Sequence, residues 1–328
     1  MTAPELTGLP ATGGRFLMQN AAGFTAVRHG ETVLNPAPNR EIYQIETAHC
    51  ARDRGVMRRL SDLVVRTLRP GWVRRVLAPV LDRYENFAPI QQIGLPAGQR
   101  LAVIAPHPDD ESIGAGGLIA LWQAAGRQTD VTFLTRGEQG NPALRTDLPD
   151  ALRSTLMDDT ARTRRTEAEA AIAILNARAE YFDGSDGALW RDENRIADAL
   201  ANLWRAAPPD VIAAPDPADR HIDHAAAARI TARAAQQAGL RPDTPVLGYE
   251  VWSPCPANAA LPIAEVADVK TRAIAAHNSQ TASTDYVAAA AALNLYRGVT
   301  AGMGTTPAEG FHRQTLTAYA AQSAQMKP

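Results

Sequence analysis

From residue 101 onward, apolar and polar positions fall into short continuous apolar runs separated by longer amphipathic stretches. Leu101-Ala102-Val103-Ile104-Ala105 is an unbroken apolar run, the pattern of a strand covered on both faces. A helical pattern follows over 114–126, and Val131-Thr132-Phe133-Leu134-Thr135 reads as a second strand. A long Ala/Arg/Glu-rich helix is predicted over 155–177, and Glu180-Tyr181-Phe182 is a short third strand. Helix over 192–206, strand over 211–214, helix over 222–238 and strand over 246–252 complete the alternation. This rhythm predicts an α/β fold: a Rossmann-like, doubly wound, mostly parallel sheet with helices on both faces.

The pattern before residue 97 is different. Short apolar stretches within 15–34 (Phe16-Leu17-Met18, Phe24-Thr25-Ala26-Val27) predict a strand pair. Val56, Leu60, Leu63, Val64 and Leu68 stand at helical spacing, and Trp72, Val73, Val76, Leu77, Val80 and Leu81 partly repeat it. Pro70-Gly71 between them is a turn signal, so an αα-hairpin is predicted, with Pro79 disturbing its last turn. The chain therefore divides into a partly helical N-terminal extension, 1–97, and an α/β domain, 98–328. Arginines decorate both arms of the hairpin: Arg58, Arg59 and Arg66, then Arg74, Arg75 and Arg83. A basic amphipathic pair over 56–83 can lie on an anionic membrane surface. Packing of its apolar stripe on the main domain, with the arginines in water, is the commoner arrangement and the preferred one.

Composition narrows the class without changing the fold. The chain of 328 residues has 21% charged and 45% hydrophobic residues and a formal charge of −2, so no basic field points to a nucleic-acid partner. Two cysteines, Cys50 and Cys255, exclude a disulfide framework and a cysteine-rich metal site. No basic segment followed by an apolar run opens the chain, and no run reaches a membrane span, so a cytoplasmic protein is expected. Nothing in the pattern specifies an oligomer.

The chemistry collects at predicted strand ends, where ligands bind in sheets of this kind. Segments 106–112, 136–140 and 215–224 follow the first, second and fourth strands. The first holds His107-Pro108-Asp109-Asp110-Glu111, three adjacent acids and a histidine that repel one another unless a cation is bound or some are protonated. The last holds Asp219-Arg220-His221-Ile222-Asp223-His224. Each segment alone also reads as a solvated polar turn. Together they offer histidines and a carboxylate with a position left for water, the composition of a catalytic zinc site.

Residues 101–117 and 219–224 resemble the PIG-L/LmbE family of zinc-dependent N-acetylglucosamine deacetylases, marked by A-H-P-D-D-E and H-x-D-H motifs. Here Pro106 replaces the leading alanine. Further similarities are Gly137-Glu138-Gln139-Gly140 to a G-E-x-G loop, and Arg164 with Glu167 to an R-x-x-E helix. Lys270 with His277-Asn278-Ser279-Gln280, and Ala308-Glu309-Gly310-Phe311, resemble two later patterns of the family. The resemblance covers about residues 99–315 and leaves the N-terminal extension unmatched.

The resemblance implies His107, Asp110 and His224 as zinc ligands, and spacing agrees. The same donors suit Fe²⁺, Co²⁺ or Mn²⁺. Asp109 is implied as general base toward the attacking water, with a purely orienting carboxylate as the competing reading. His221 would stabilise the oxyanion. Asp223 would hold His221 charged and oriented, or cap the following helix, or both. Glu111 is expected to support the site, as are His277 and Gln280. Arg164 and Glu138 would bind substrate, with Arg164 alternatively a helix-surface residue. The implied reaction is deacylation of a small-molecule or glycoconjugate N-acetyl sugar by residues 98–328. Hydrolysis of another amide such as a thiol conjugate, a metal-dependent phosphoesterase and a non-catalytic sugar-binding protein are the alternatives. Close packing at a helix start accounts for Gly114, Gly116 and Gly117 better than a phosphate-cradling loop does.

Overall fold

The computed structural model describes residues 90–326 throughout, together with the strand segments 16–20, 23–28 and 31–33. Two compact units divide the chain, residues 1–86 and 87–328. In the first, β1 (Phe16–Asn20), β2 (Gly23–Arg28) and β3 (Glu31–Val33) form an antiparallel three-stranded sheet in the order β1-β2-β3. The sequence pattern anticipates the first two strands and not the third. The predicted hairpin over 56–83, and with it the membrane-surface reading, lies outside the described residues.

The second unit is built on an eight-stranded sheet. Its strands are β4 (Gln91–Gln92), β5 (Arg100–Ala105), β6 (Gln128–Thr135), β7 (Arg178–Gly184), β8 (Val211–Pro215), β9 (Pro245–Tyr249), β10 (Ala259–Pro262) and β11 (Ala308–Thr315). Their order is β4-β10-β11-β9-β8-β5-β6-β7. From β9 to β7 all neighbours are parallel, while β11 runs antiparallel to both β9 and β10. The chain winds β5, β6, β7 to one side, then crosses back to β8 and β9 on the other. The switch point lies between β5 and β8, where such sheets open a crevice at their carboxyl ends.

The main helices are α1 (Asp110–Ala124), α2 (Asp150–Leu175), α3 (Glu193–Ala206), α4 (Ile222–Gln237), α5 (Ala267–Ala276), the one-turn α6 (Asn278–Thr281), α7 (Tyr286–Thr300) and α8 (Leu316–Ser323). Alternate strand residues feed two cores. Leu101, Val103, Val131, Phe133, Ala213 and Leu247 pack beneath α1, α2 and α5. Ala102, Ile104, Leu134, Ile212 and Val246 pack beneath α3, α4 and α8. This two-sided burial is why those strands read as unbroken apolar runs.

Two local features position the site. Helix α1 begins at Asp110, four residues before the sequence pattern suggests, so Asp110 and Glu111 occupy its first turn, where the helix dipole favours negative charge. Its glycines let neighbours approach closely. A Cβ on Gly114 would stand 2.2 Å from the Tyr249 ring, and one on Gly117 would stand 2.6 Å from Ile263. Glu309 of β11 accepts the N–H groups of Gly117 (2.7 Å) and Leu118 (2.8 Å), and pairs with the buried Lys270 of α5 at 2.6 Å. The late Lys270 and Glu309 motifs thus serve to clamp α1.

Candidate active site

The loops after β5, β7 and β8 and the first turns of α1 and α4 converge on the switch point. His107 donates its backbone N–H to Asp110 Oδ2 (2.8 Å), and its Nδ1 lies 3.1 Å from the same oxygen. His224 Nε2 lies 3.3 Å from that oxygen. His107, Asp110 and His224 are therefore brought together around one point. His107, His221 and His224 also present ring nitrogens within 4.8 Å of one another, as do His107, Asp186 and Asp223 their donor atoms.

The outward-facing nitrogens of both inner histidines meet carboxylates. His107 Nε2 lies 3.1 Å from Asp223 Oδ2 and 3.3 Å from Asp186 Oδ1. His224 Nδ1 lies 3.4 Å from Asp219 Oδ2. Such carboxylates orient metal-binding imidazoles and raise their basicity. Neither nitrogen of the fully buried His224 is aligned for a hydrogen bond within the protein. A buried imidazole in that state fits a cation-binding role, because an unsatisfied buried polar group is otherwise costly. Burial opposes charge on His224, yet Asp110 and Asp219 outweigh it and push its pKa up to about 9. At His107, burial is likewise overcome by Asp110, Asp186 and Asp223. A field that holds positive charge on buried imidazoles is a field suited to a divalent cation.

Asp109 has φ 136°, a conformation rare for any residue with a side chain. Several partners hold it there. Its N–H is bound by Glu111 Oε2 (3.0 Å), and Glu111 Oε1 in turn accepts from Ser112 Oγ (2.6 Å) and lies 3.0 Å from His277 Nε2. Its carboxylate accepts from Arg164 Nη2 (3.0 Å), and Arg164 also donates to the Pro108 and Gly137 carbonyls. Burial pushes the Asp109 carboxyl up to about 6, with Arg164 opposing that shift.

Arg164 is thus not a helix-surface residue: its guanidinium is buried, holds the loop that carries Asp109, and lines the cavity with Nε unpartnered. The glycines of the 137–140 loop admit it, since a Cβ on Gly137 or on Gly140 would stand 2.5 Å from Arg164 Nη1. One turn further along α2, Glu167 accepts the Ser279 N–H and Oγ–H, each at 2.6 Å. Glu138 is buried beside Arg136, with Oε2 unpartnered and its pKa raised by burial, and it does not line the cavity.

Asp223 departs from its expected role. Its carboxylate binds the Gly187 and Leu189 N–H groups (2.6 and 3.0 Å) and faces His107. The cap of α4 is His221, whose Nδ1 accepts the Asp223 backbone N–H at 3.2 Å. Burial, His107 and His224 hold the His221 pKa below its usual value, and because Nδ1 accepts a backbone N–H, Nε2 is the nitrogen left to carry a proton. Asp186 was missed from sequence. It follows β7, and the strand-end rule extended to the third predicted strand reaches it. It also accepts the Gln139 N–H (2.7 Å), tying two site loops together.

A cavity of about 560 Å³ opens over these groups, lined among others by His107, Asp109, Asp110, His221, Trp252 and Tyr286. The family model that describes GlcNAc-PI de-N-acetylases, PIG-L, matches residues 102–235, which carry this whole histidine and aspartate constellation. The chain carries a PIG-L family domain. Over 108 residues, 32% of this chain and 36% of the relative, the chain is 39% identical to a 1D-myo-inositol 2-acetamido-2-deoxy-alpha-D-glucopyranoside deacetylase of Actinosynnema mirum. The chain spans between 36% and 57% of the length of such deacetylase relatives. Among solved structures, a conserved protein of Thermus thermophilus matches at TM-score 0.53 and 32% identity, over 64% of this chain and 92% of that one. The 4-carboxy-2-hydroxymuconate hydratase of Pseudomonas putida matches at TM-score 0.56 and 26% identity, over 66% of this chain and 96% of that one. The chain is therefore similar both to deacetylases and to a hydratase. Among the described residues, no helix is long and apolar enough to cross a membrane.

Proposed function

We propose that residues 98–328 are the catalytic unit of a zinc-dependent amide hydrolase that removes the N-acetyl group from an N-acetylglucosamine-type sugar or conjugate. One observation carries this reading: a strained Asp109, held by Glu111 and Arg164, stands beside the His107, Asp110 and His224 donor set over an open cavity. In the proposal these three residues hold the metal. Two imidazoles and one carboxylate suit zinc, and they also suit Fe²⁺, Co²⁺ or Mn²⁺. When bound, zinc supplies Lewis-acid polarisation of the amide carbonyl and lowers the pKa of the attacking water.

Asp109 takes the proton of that water as it attacks the carbonyl carbon, and returns it to the departing amine. Arg164 keeps Asp109 aimed into the cavity and not against Asp110. His221 donates Nε2–H to the carbonyl oxygen as negative charge develops there. This assignment needs no charge on His221 and so no anionic partner for it. Asp223 with Asp186, and Asp219, hold the outward edges of His107 and His224 and so orient their opposite nitrogens toward the metal position.

Acetate release from N-acetylglucosamine conjugates tests the reading. Activity should vanish with a chelator and return with zinc, and Asp109→Ala should lose about 10²–10⁴-fold in kcat. Chelator-insensitive turnover, or full activity in Asp109→Ala, would overturn it. Hydration is the second reading, favoured by the likeness to the hydratase. Loss of the dienol chromophore of 4-carboxy-2-hydroxymuconate without acetate release from any amide would select it.

A further inference from the structure

Another cavity, of about 670 Å³, borders the turn that carries Asp109 and takes no part in the proposed chemistry. It shares no lining residue with the catalytic cavity. His107 and Asp109 line the catalytic cavity, whereas Pro108 between them lines the other. Helix α2 divides its side chains in the same way: Arg164 lines the catalytic cavity, and Arg165 lines the other. A volume of this size is in the range of small-molecule sites.

Its walls follow from the periods of the elements around it. Asp158, Ala161, Arg162 and Arg165 stand at i, i+3, i+4 and i+7 of α2, so they share one face of the helix. The carboxyl ends of β6 and β7 bring Arg136, Tyr181 and Phe182 to the same space. Ala161 carries a single methyl group and so leaves room above the helix. The Tyr181 ring stacks on Phe133, with centroids 4.9 Å apart and planes at 20°. The Arg165 guanidinium lies 3.2 Å from the Tyr181 ring centroid. That stack holds Arg165 at the wall before any ligand arrives.

The cations of this wall have weak local partners. The side chains of Arg136 and Arg165 are each 49% exposed, which leaves guanidinium edges open to a ligand. Arg136 approaches Asp158 at 3.5 Å and Glu138 at 3.9 Å. Arg165 pairs with Glu169 at 2.7 Å, and Glu169 is more than half exposed. Asp183, the other acid of the lining, is paired at 2.7 Å with Arg195, which does not line the cavity. Ion pairs this exposed contribute little, so an incoming anion can displace them. The planar fork of an arginine matches phosphate oxygens two at a time. Phe182, Ala161 and Pro108 supply apolar wall beside the arginines.

We propose that this cavity is a binding site, separate from the catalytic one, for the phosphate monoester of a small molecule that carries an apolar ring. Arg136 and Arg165 hold the phosphate, and the ring packs on Phe182, Ala161 and Pro108. The site does not depend on the deacetylase reading.

Calorimetric titration of phenyl phosphate into the full-length zinc-loaded protein tests it. One equivalent should bind with a Kd at or below about 1 mM. Inorganic phosphate, which lacks the ring, and benzoate, which lacks the second charge, should each bind at least about fivefold more weakly. Arg136→Gln and Arg165→Gln should each weaken phenyl phosphate about tenfold. Ala161→Leu fills the space with every charge in place and should weaken it as much, which covers the case in which loss of the Tyr181 stack unfolds Arg165→Gln. Three results overturn the proposal: no binding, inorganic phosphate or benzoate binding as tightly as phenyl phosphate, or an affinity unchanged in Arg136→Gln and Ala161→Leu. The last would place the phosphate at the zinc instead.

Discussion

At the scale of single residues, the backbone of Asp109 is the informative point. A side chain at φ 136° costs on the order of 1–3 kcal/mol, and glycine alone adopts that region freely. Asp109→Gly and Asp109→Ala both delete the carboxylate and differ in this backbone cost. The glycine variant should therefore be more stable than the alanine variant by roughly 1–3 kcal/mol in urea unfolding, although both lack the carboxylate. Equal midpoints would mean the loop relaxes freely. Asp223 offers a second residue-level test. Because it faces His107 Nε2, Asp223→Ala should weaken zinc affinity about 10–100-fold while leaving the His221 tautomer set by the same backbone N–H. Competition with a chromophoric chelator measures the first. Nitrogen-15 shifts of the His221 ring report the second.

At the scale of elements, helix α1 depends on parts of the chain far from it. Lys270 and Glu309 are a buried pair, and Glu309 also binds two amides of α1. Removing one charge leaves the other buried without its partner, so Lys270→Met should destabilise by about 3–5 kcal/mol. A shift in the denaturation midpoint below about 1 kcal/mol would show that α1 does not rely on this clamp. The element scale is also where the sequence was most and least readable. Strands β5, β8 and β9 and the second half of β6 were legible because burial on two faces leaves nearly unbroken apolar runs, whereas the edge strand β7 showed only as the short stretch Glu180-Tyr181-Phe182. Strand β10 is four residues ending in proline, and β11 opens on Ala308-Glu309-Gly310, where the buried glutamate serves a helix and not the sheet. Neither carries a period. The His107 cluster stood out because three adjacent carboxylates repel one another without a cation, and the His224 cluster because its histidines fall at another strand end of the same sheet. Asp223 was noticed with its role misassigned: sequence adjacency suggested His221, whereas the fold turns its carboxylate toward His107, 116 positions away. The commitment of Arg164 to a buried loop was equally hidden, since an arginine on an exposed helix gives the same pattern.

At the scale of the whole molecule, the histidine and aspartate constellation lies within the residues the family model matches, and two of its supports do not. His277 backs Glu111, and Glu309 holds α1, both beyond residue 235. A fragment spanning residues 87–253 retains every proposed ligand. It should nonetheless show no cooperative thermal transition and no stoichiometric zinc uptake. A fragment that melts cooperatively and takes up one zinc would show that the parallel half folds alone. The bond from Glu309 to Gly117 spans 192 positions. For a chain made from its N-terminus, the ribosome delivers the first motif early and the group that secures it last. At about 5–20 residues per second, those 192 residues take roughly 10–40 seconds to follow. Over that interval the nascent chain exposes a cluster of acids and histidines before its scaffold exists.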